Sequence, residues 1–466
     1  MGPNNIGYSA EMTFADQTPG PLWAERLTDL ATNGDLLPCL AESWDFGPDG
    51  LSITYHLRKG VKFQDGTDFN AEAVRWNMQT CKDSGALAGG KYITSIDVID
   101  DYTIRFNLTQ WNSQVTYDIG RILIFSPTAF QKNGKDWAIT HSVSTGAFKV
   151  VEFQPDVVVK MEKFDDYWRP GKPYLDKVEF IVVKEPATCS AMMQAGQADM
   201  WTIATHQEAA DLRDMGYTVL TGPNVINNIY GDSKNADSPF ANKKVREAVE
   251  YAIDRKPMSD ALGFGFQEPI NQLAPPGTQG YNPDYKGRPY DSAKAKQLLA
   301  EAGYSDGFKT TMTLLPTALD MGTIIQNYLA EIGIEVELDV ADPGRYWGKV
   351  FVEGWQGLLL GVSALNPEYC VVFLHHFGPE PLVAFASLAK SPEFLEACNK
   401  VIQAPDVPTM RALTREMVTQ ASEDCMAIPL TNSVMTTIKQ ENVHTCFMTA
   451  IDWTGWYIWD DWLEKK

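Results

Sequence analysis

The sequence predicts an α/β fold in which amphipathic helices flank short strands in two separate blocks. The clearest evidence is a strand at Lys309–Leu315, a helix at Asp320–Ile332 and a strand at Ile334–Val340. Apolar and acidic residues alternate in the last strand, which is typical of a half-buried strand. The short connections predict a right-handed βαβ crossover. The length of 466 residues exceeds what one core usually accommodates, so two or three domains are expected.

Capping and stop signals place further elements on both sides of the middle of the chain. Asp291 is positioned to cap a helix that Gly303 ends, and Gly333 ends the helix of the βαβ unit. Val245, Val249 and Ala252 form the apolar stripe of another helix. The remaining predicted elements are a strand at Lys177–Val183, a helix at Ala187–Gln194, a strand at Asp199–Ile203 and a helix at Lys243–Ile253.

The most informative segment is Leu40–Gln79, which reads as two strands, two turns and a helix. Pro48–Gly50 has turn chemistry, and Ser52–Leu57 is rich in residues that favour strands. A second turn follows at Gln64–Thr67, and Asn70 can cap the helix behind it. This segment closely resembles the signature region of the family 5 extracellular solute-binding proteins, the receptors of ABC importers for peptides, nickel complexes and some oligosaccharides.

Further motifs resemble the same family and occur in the same order along the chain. They are Ser144–Phe148, Asp166–Trp168 followed by Gly171–Val178, Gln194–Asp199, Lys244–Arg255 and Tyr290–Tyr304. The resemblance implies a two-lobed periplasmic-binding-protein fold of class II, with an extra subdomain in the first lobe. Mapped onto this chain, lobe I comprises residues 1–38, 153–228 and 430–466, with the extra subdomain at 39–152 and lobe II at 229–429. The crossing strands are expected near Asn224–Tyr230 and Ala427–Val434.

The resemblance also implies the function. A non-enzymatic receptor of this family captures a small ligand between its lobes by hinge closure and delivers it to the permease subunits of an ABC importer. Such a protein is extracytoplasmic, in the periplasm or as a cell-surface lipoprotein, and the absence of a signal peptide here fits a trimmed leader. A formal charge of −21 argues against nucleic acid as a partner, and a monomer is expected.

The predicted ligand contacts come from the rule that ligands bind at the carboxyl ends of strands between lobes. We expect contacts after the first strand, after the Asp199 strand and near the first crossing strand, with further residues facing them from the second lobe. These predicted ligand-binding residues are Met12, Thr13, Phe14, Trp201, Thr202, Asn227, Asn228, Tyr230, Ser363, Leu365, Asn366 and Tyr369.

The chain departs from peptide-binding members of the family at one informative place. Those members carry a Gly-Trp-x-x-Asp run whose aspartate pairs with the peptide's α-ammonium, and the corresponding run here is Gly361–Leu365. The tryptophan position is Val362, the aspartate position is Leu365, and Glu368 is the only carboxylate nearby. A buried ammonium without a countercharge is costly, so we expect a neutral, aromatic or anionic ligand. A peptide or oligosaccharide receptor of the same family stays open.

Catalytic and metal-binding motifs are incomplete. Gly85–Lys91 fits GxxxxGK but lacks the following Ser or Thr, and Ser387–Lys390 fits SxxK without its companion motifs. The adjacent His375 and His376 lack a partner at helical spacing. We therefore expect no enzyme activity, no cofactor and no metal, with an extracellular hydrolase as the rival. The seven scattered cysteines are compatible with reduced thiols or with a disulfide among Cys398, Cys425 and Cys446.

Overall fold

A computed structural model describes residues 2–31, 33–381, 385–445 and 456–464, without the side chains of Phe14 and Ala15. The early strands are β1 (Thr28–Leu30), β2 (Leu36–Pro38), β3 (Ala41–Phe46), β4 (Ser52–Leu57), β5 (Ile93–Asp100), β6 (Thr103–Leu108), β7 (Phe148–Gln154), β8 (Val158–Lys163) and β9 (Lys177–Ile181). The later strands are β10 (Met200–Trp201), β11 (Thr218–Gly231), β12 (Gln267–Pro269), β13 (Phe308–Leu314), β14 (Ile334–Val340), β15 (Leu358–Ala364), β16 (Ile428–Lys439), β17 (Val443–His444) and β18 (Trp462–Leu463).

The helices are distributed along the whole described chain. The early helices are α1 (Phe14–Gln17), α2 (Ala71–Ser84), α3 (Val115–Gly120), α4 (Pro127–Asn133), α5 (Lys135–Thr140), α6 (Pro186–Gln194) and α7 (His206–Asp214). The later helices are α8 (Lys243–Ala252), α9 (Arg255–Gly263), α10 (Ser292–Glu301), α11 (Leu319–Glu331), α12 (Pro343–Gly348), α13 (Tyr369–Phe377), α14 (Pro392–Ile402) and α15 (Val407–Glu423). A π-helical turn at Lys349–Glu353 follows α12 directly.

The chain divides into two compact units. Unit 1 comprises residues 1–222 and 436–466, and unit 2 comprises residues 223–435. The chain passes from one unit to the other within β11 and returns within β16. The finer lobe limits drawn from the resemblance stay a prediction.

Unit 2 is a sheet between two layers of helices. Its strands are ordered β16-β11-β15-β13-β14, and β13 pairs in parallel with both β14 and β15. Consecutive strand residues alternate between two cores: Ile229 packs with α8, α10 and α11, whereas Tyr230 packs with α12 to α15. The parallel β13–α11–β14 unit confirms the predicted βαβ connection, since helix α11 joins two adjacent parallel strands.

Unit 1 contains smaller antiparallel sheets. Strands β3-β4-β6-β5 form one sheet and β7-β8-β9 another, and the core under the first includes Tyr55 and Phe106. Helix α2 packs on this sheet, and the Asn70 side chain accepts a hydrogen bond from the Ala73 N–H at 2.9 Å. The predicted cap and the strand Ser52–Leu57 are confirmed.

One predicted element is absent and another is shorter than predicted. The residues before Met12 form a 3₁₀ turn at Ser9–Glu11, so Met12, Thr13 and Phe14 do not follow a strand. The Asp16 carboxylate accepts the N–H groups of Asn4 and Thr13 at 2.6 and 2.7 Å, and such local bonds compete with strand pairing. The strand predicted at Asp199–Ile203 is only Met200–Trp201, because Ile203 has left-handed backbone geometry.

Candidate functional site

The parallel strands of unit 2 end at one edge of the sheet. Strands β13, β14 and β15 end at Leu314, Val340 and Ala364, and parallel neighbours have their carboxyl ends on the same side. Ligands of open α/β sheets bind outside such ends. Four predicted contacts lie at this end of β15 or directly after it: Ser363, Leu365, Asn366 and Tyr369.

A neutral hydrogen-bonded cluster joins β11 and β15 within unit 2. The Asn228 amide nitrogen donates to Ser363 Oγ at 3.0 Å and lies 3.1 Å from the Tyr230 hydroxyl. These three side chains are almost completely buried, and burial raises the pKa of Tyr230 well above its usual value. The cluster therefore holds no charge at neutral pH. Asn228, Tyr230 and Ser363 are close together as predicted, and their hydrogen bonds run within the cluster rather than to solvent, while the buried Asn228 Oδ1 has no hydrogen-bond partner among the described residues.

Two predicted contacts of unit 2 lie in its core. Leu365 and Tyr369 are each 2% exposed and pack among Phe373, Phe377 and neighbouring apolar residues. The Tyr369 hydroxyl donates to the carbonyl oxygen of Leu273. These placements contradict the expectation that both side chains face a ligand, because each one fills core volume and Tyr369 uses its only donor internally.

Glu368, the carboxylate closest in sequence to Leu365, where peptide-binding relatives have aspartate, is already paired with a cation. Glu368 is 4% exposed, and its Oε2 lies 3.2 Å from Arg411 Nη2 and 3.3 Å from Gln279 Nε2. The Asn366 side chain accepts the Glu368 N–H at 3.0 Å and so organises the start of α13. Glu368 therefore forms a partly buried ion pair inside unit 2. Its charge compensates Arg411, which lies on α15, and Asn366 acts as a local turn residue.

Asn227 lies on the opposite face of β11 from Asn228. Its amide nitrogen donates to Thr431 Oγ1 of β16 at 2.9 Å, and the side chain is half-buried. Asn227 thus joins two neighbouring strands of unit 2, and the period of two in a strand separates it from the Asn228 cluster.

Trp201 and Thr202, two predicted contacts of unit 1, are less buried than the predicted contacts at the end of β15. Trp201 ends β10, which pairs with β16 through Trp201 opposite Ile438, and both Trp201 and Thr202 are half-buried. Helix α7 begins shortly after them, capped by the Thr205 hydroxyl, which accepts the Glu208 N–H at 3.2 Å. Trp201 and Thr202 therefore lie where a strand ends and a helix begins, as in other ligand-binding α/β units.

The three N-terminal contacts are separated by the turn around Asp16. Met12 is 7% exposed, whereas Thr13 is exposed and its hydroxyl donates to Asp16 Oδ2 at 2.7 Å. The side chain of Phe14 lies outside the described residues. Of the two side chains described, Met12 and Thr13, the exposed one is Thr13, and its hydroxyl hydrogen is used by Asp16.

An exposed aromatic pair at the same edge of unit 2 was not predicted. Trp347 on α12 is 40% exposed and stacks on Phe351, with ring centroids 5.2 Å apart. Helix α12 begins directly after β14 ends, so the strand-end rule would have located Trp347 had it been applied to the predicted strand Ile334–Val340.

A charged cluster lies beside this aromatic pair. Asp339 of β14 is 2.7 Å from both Arg345 and Lys349, and it accepts a hydrogen bond from Thr313 Oγ1 at 3.1 Å. Hydrogen bonds from the two cations hold the pKa of Asp339 well below its usual range. Asp339 is therefore ionised at neutral pH and is satisfied within unit 2.

Metal-binding clusters and membrane-spanning helices are absent from the described ranges. There, no group of three or more His, Cys, Asp or Glu side chains is arranged to hold a metal ion. No helix among the same residues is long and apolar enough to cross a membrane.

Cys398 and Cys425 are unpaired thiols, and Cys446 lies outside the described residues. Burial lowers the pKa of His376 to about 4, so its imidazole is neutral at pH 7.

Comparison with solved structures defines the class of protein. NikA from Brucella suis, in complex with Fe(III)-EDTA, superposes with a TM-score of 0.86 at 21% identity over 99% of this chain and 98% of its own. The periplasmic binding protein DppA from Helicobacter pylori, in complex with the peptide STSA, gives a TM-score of 0.83 at 25% identity over 100% of this chain and 96% of its own. The predicted two-lobed periplasmic-binding-protein fold is confirmed.

Sequence comparison narrows the class to a family. The family described as "Bacterial extracellular solute-binding proteins, family 5 Middle" matches residues 35–370. The glutathione-binding protein GsiB from Escherichia coli O1:K1 / APEC is 34% identical over 357 residues, which cover 74% of this chain and 69% of that protein. This chain belongs to the family 5 bacterial extracellular solute-binding proteins. The predicted role as an extracytoplasmic solute receptor of ABC importers is confirmed at this level.

Proposed function

We propose that this protein is a monomeric, non-catalytic receptor for a small neutral or anionic solute, with glutathione as the first candidate. A relative that is 34% identical is named a glutathione-binding protein, which supports this choice. Glutathione carries two carboxylates and one ammonium, so its net charge is negative at neutral pH. Trp201 and Thr202 are retained as ligand contacts of unit 1, because they are half-buried and follow a strand end.

The observation that carries the preference over ordinary peptides is the pairing of Glu368 with Arg411. The only carboxylate close in sequence to the Leu365 position is buried against a guanidinium at 3.2 Å within its own unit. Recruiting Glu368 for a ligand ammonium would weaken its existing pair with Arg411, and separating the buried Glu368 carboxylate from that cation is unfavourable. An α-linked peptide bound through its terminal ammonium therefore lacks a suitable partner on this segment. In glutathione the ammonium and a carboxylate are attached to the same carbon, so this part of the ligand carries no net charge and needs no such countercharge.

Calorimetry against a small panel tests the proposal. The panel consists of reduced glutathione, oxidised glutathione, a γ-glutamyl dipeptide, and unblocked α-linked di- and tripeptides of matched size. We expect a Kd below about 10 μM for a glutathione compound and above about 100 μM for the α-linked peptides, a difference of at least about 1.4 kcal/mol. Sub-micromolar binding of an α-linked peptide, with no binding of the glutathione compounds, would reverse the assignment.

Three further measurements test the remaining parts of the proposal. Mass spectrometry of ligands after prolonged incubation should find them chemically unchanged, whereas cleavage would favour the hydrolase alternative. Light scattering should give the mass of one chain, 51.9 kDa. Binding to DNA at low salt should be undetectable, because a formal charge of −21 repels phosphate.

A further inference from the structure

Ile203 has an unusual backbone conformation at the end of the Trp201 segment. In the described part of the chain, the non-glycine residues with positive φ are Asp156, Ile203, Phe264 and Cys425. Aspartate tolerates this region, and Phe264 occupies the left-handed position that commonly ends a helix. Ile203 has a φ of 56° and a β-branched side chain, for which the left-handed region is a genuine outlier.

The backbone on both sides of Ile203 is fixed, so the strain cannot relax locally. On one side, Trp201 is paired with Ile438 in β16. On the other side, the Ala204 N–H donates to the Thr436 carbonyl oxygen at 3.0 Å, and Thr436 Oγ1 donates to the Ala204 carbonyl oxygen at 2.8 Å. All of these residues belong to unit 1. Strand β16 therefore holds the segment in the conformation that directs Ile203 outward.

The side chain of Ile203 gains little from its own unit in return. It is 55% exposed, although isoleucine is among the residues that proteins bury most often. A glycine would adopt the same φ without strain. Strained residues that the surrounding structure holds firmly cluster at ligand sites, where the strain serves to position a group in advance. The exposed apolar surface of Ile203 lies next in sequence to the half-buried Trp201 and Thr202.

We propose that Ile203 is a ligand-contacting residue that determines specificity, forming with Trp201 an apolar wall for the hydrocarbon part of the solute. The Thr202 hydroxyl lies between them in the chain and supplies a polar contact. Because the backbone is fixed before binding, the protein pays little conformational entropy to order this wall. This inference rests on the proposed receptor function and adds a residue that neither strand periodicity nor the family motifs indicate.

The test compares Ile203→Gly with Phe264→Gly. Both changes replace a large apolar residue at positive φ by glycine, and Phe264 is 39% exposed at the end of α9 in unit 2. Each variant relieves backbone strain and loses partial packing, so both should melt within about 2–4 °C of the unaltered protein or above it. Calorimetry with reduced glutathione, or with the tightest binder of the panel above, should show about tenfold weaker binding for Ile203→Gly alone. Phe264→Gly should bind within about twofold of the unaltered protein.

The possible outcomes separate this inference from the proposed ligand. Unchanged affinity in Ile203→Gly overturns the role of Ile203, whatever the ligand is. A melting temperature more than about 5 °C below that of the unaltered protein also overturns it, since the side chain would then stabilise unit 1. If the unaltered protein binds no compound of the panel, the proposed ligand class fails separately. In that case the melting temperature still tests part of the inference. If Ile203→Gly melts at or above the temperature of the unaltered protein, the Ile203 side chain does not stabilise unit 1, as the inference requires.

Discussion

The predicted ligand contacts of the two units differ in how far each side chain is already buried or hydrogen-bonded within its own unit. In unit 2, Asn228 and Ser363 bond each other, and Tyr369 fills the core while its hydroxyl bonds Leu273. In unit 1, Trp201 and Thr202 retain exposed surface at the end of a short strand. Most of the predicted contacts in unit 2 are buried and only Asn227 is half-buried, whereas Trp201 and Thr202 of unit 1 both keep surface to offer a ligand.

The difference shows what a strand-end rule can and cannot predict. The rule identifies an edge of a sheet, but the direction of each side chain follows from the alternation along the strand. In unit 2 this alternation directs Tyr230 into the core under α12 to α15, and the exposed residue at the end of β15 is Val362. A polar residue near a strand end is therefore a candidate ligand contact only when its side chain also keeps exposed surface.

The largest effect is expected for Leu365→Asp, which restores the family's aspartate. Because Leu365 is 2% exposed in the core of unit 2, the new carboxylate would be buried without a partner. We expect unfolding free energy to fall by about 3–5 kcal/mol, measured by urea denaturation. The matched control is Val362→Asp on the same segment, where 39% exposure should keep the loss below about 1 kcal/mol. Normal stability of Leu365→Asp, together with new affinity for free peptides, would place this position at the ligand after all.

The next effect concerns Trp201→Ala in unit 1. Loss of the ring should weaken ligand binding about tenfold by calorimetry, equivalent to ~1.4 kcal/mol, while the protein stays folded. Trp462→Ala is the control, because Trp462 also lies on a two-residue strand of unit 1 and is 42% exposed, but it stacks on His444. A fall of ~3–5 kcal/mol in unfolding free energy with normal affinity would make Trp201 a packing residue.

Sequence signals predicted secondary structure well where a helix cap or a strand's apolar alternation lies within a few consecutive residues. Strand β14 has the predicted limits, and Asp291 caps α10 by accepting the Lys294 N–H at 2.8 Å. Gly333 and Gly303 have φ values of 90° and 91°, as expected for glycines that end helices. These features depend only on residues a few positions apart, so they can be read from the sequence directly.

Contacts between distant segments could not be predicted in the same way. Arg411 neutralises Glu368 from another helix, and Thr436 fixes Ala204 from another strand. Neither pair has a signature in sequence spacing, because the two partners meet only after the sheet and its helices assemble. The sequence therefore predicted which strand ends carry candidate contacts. It did not predict which of those side chains are already buried or hydrogen-bonded within the protein.

Adjacent threonines of β16 test whether unit 1 depends on the bond that fixes Ala204. The Thr436 hydroxyl donates to the Ala204 carbonyl oxygen at 2.8 Å, whereas Thr437 Oγ1 has no hydrogen-bond partner among the described residues. Both side chains are at most 1% exposed. Thr436→Val should lower the unfolding free energy by about 1 kcal/mol, and Thr437→Val should be neutral or stabilising, both in urea denaturation. Equal losses for the two variants would show that the Ala204 bond has no special weight.

The smallest effect is a pH-dependent one at Asp339 of unit 2. Arg345 and Lys349 depress the pKa of Asp339 below its unfolded value of about 4, so ionised Asp339 stabilises the fold above that pH. Asp339→Asn should lower the unfolding free energy by about 0.5–1 kcal/mol at pH 7, and the difference should shrink as the pH falls below about 4. Glu335→Gln is the control on the same strand, since its pair with Lys309 is fully solvated at 70% and 80% exposure and should show no measurable change. A loss that persists unchanged at pH 3 would mean that Asp339 acts through packing and hydrogen bonds that the amide cannot replace, rather than through its charge.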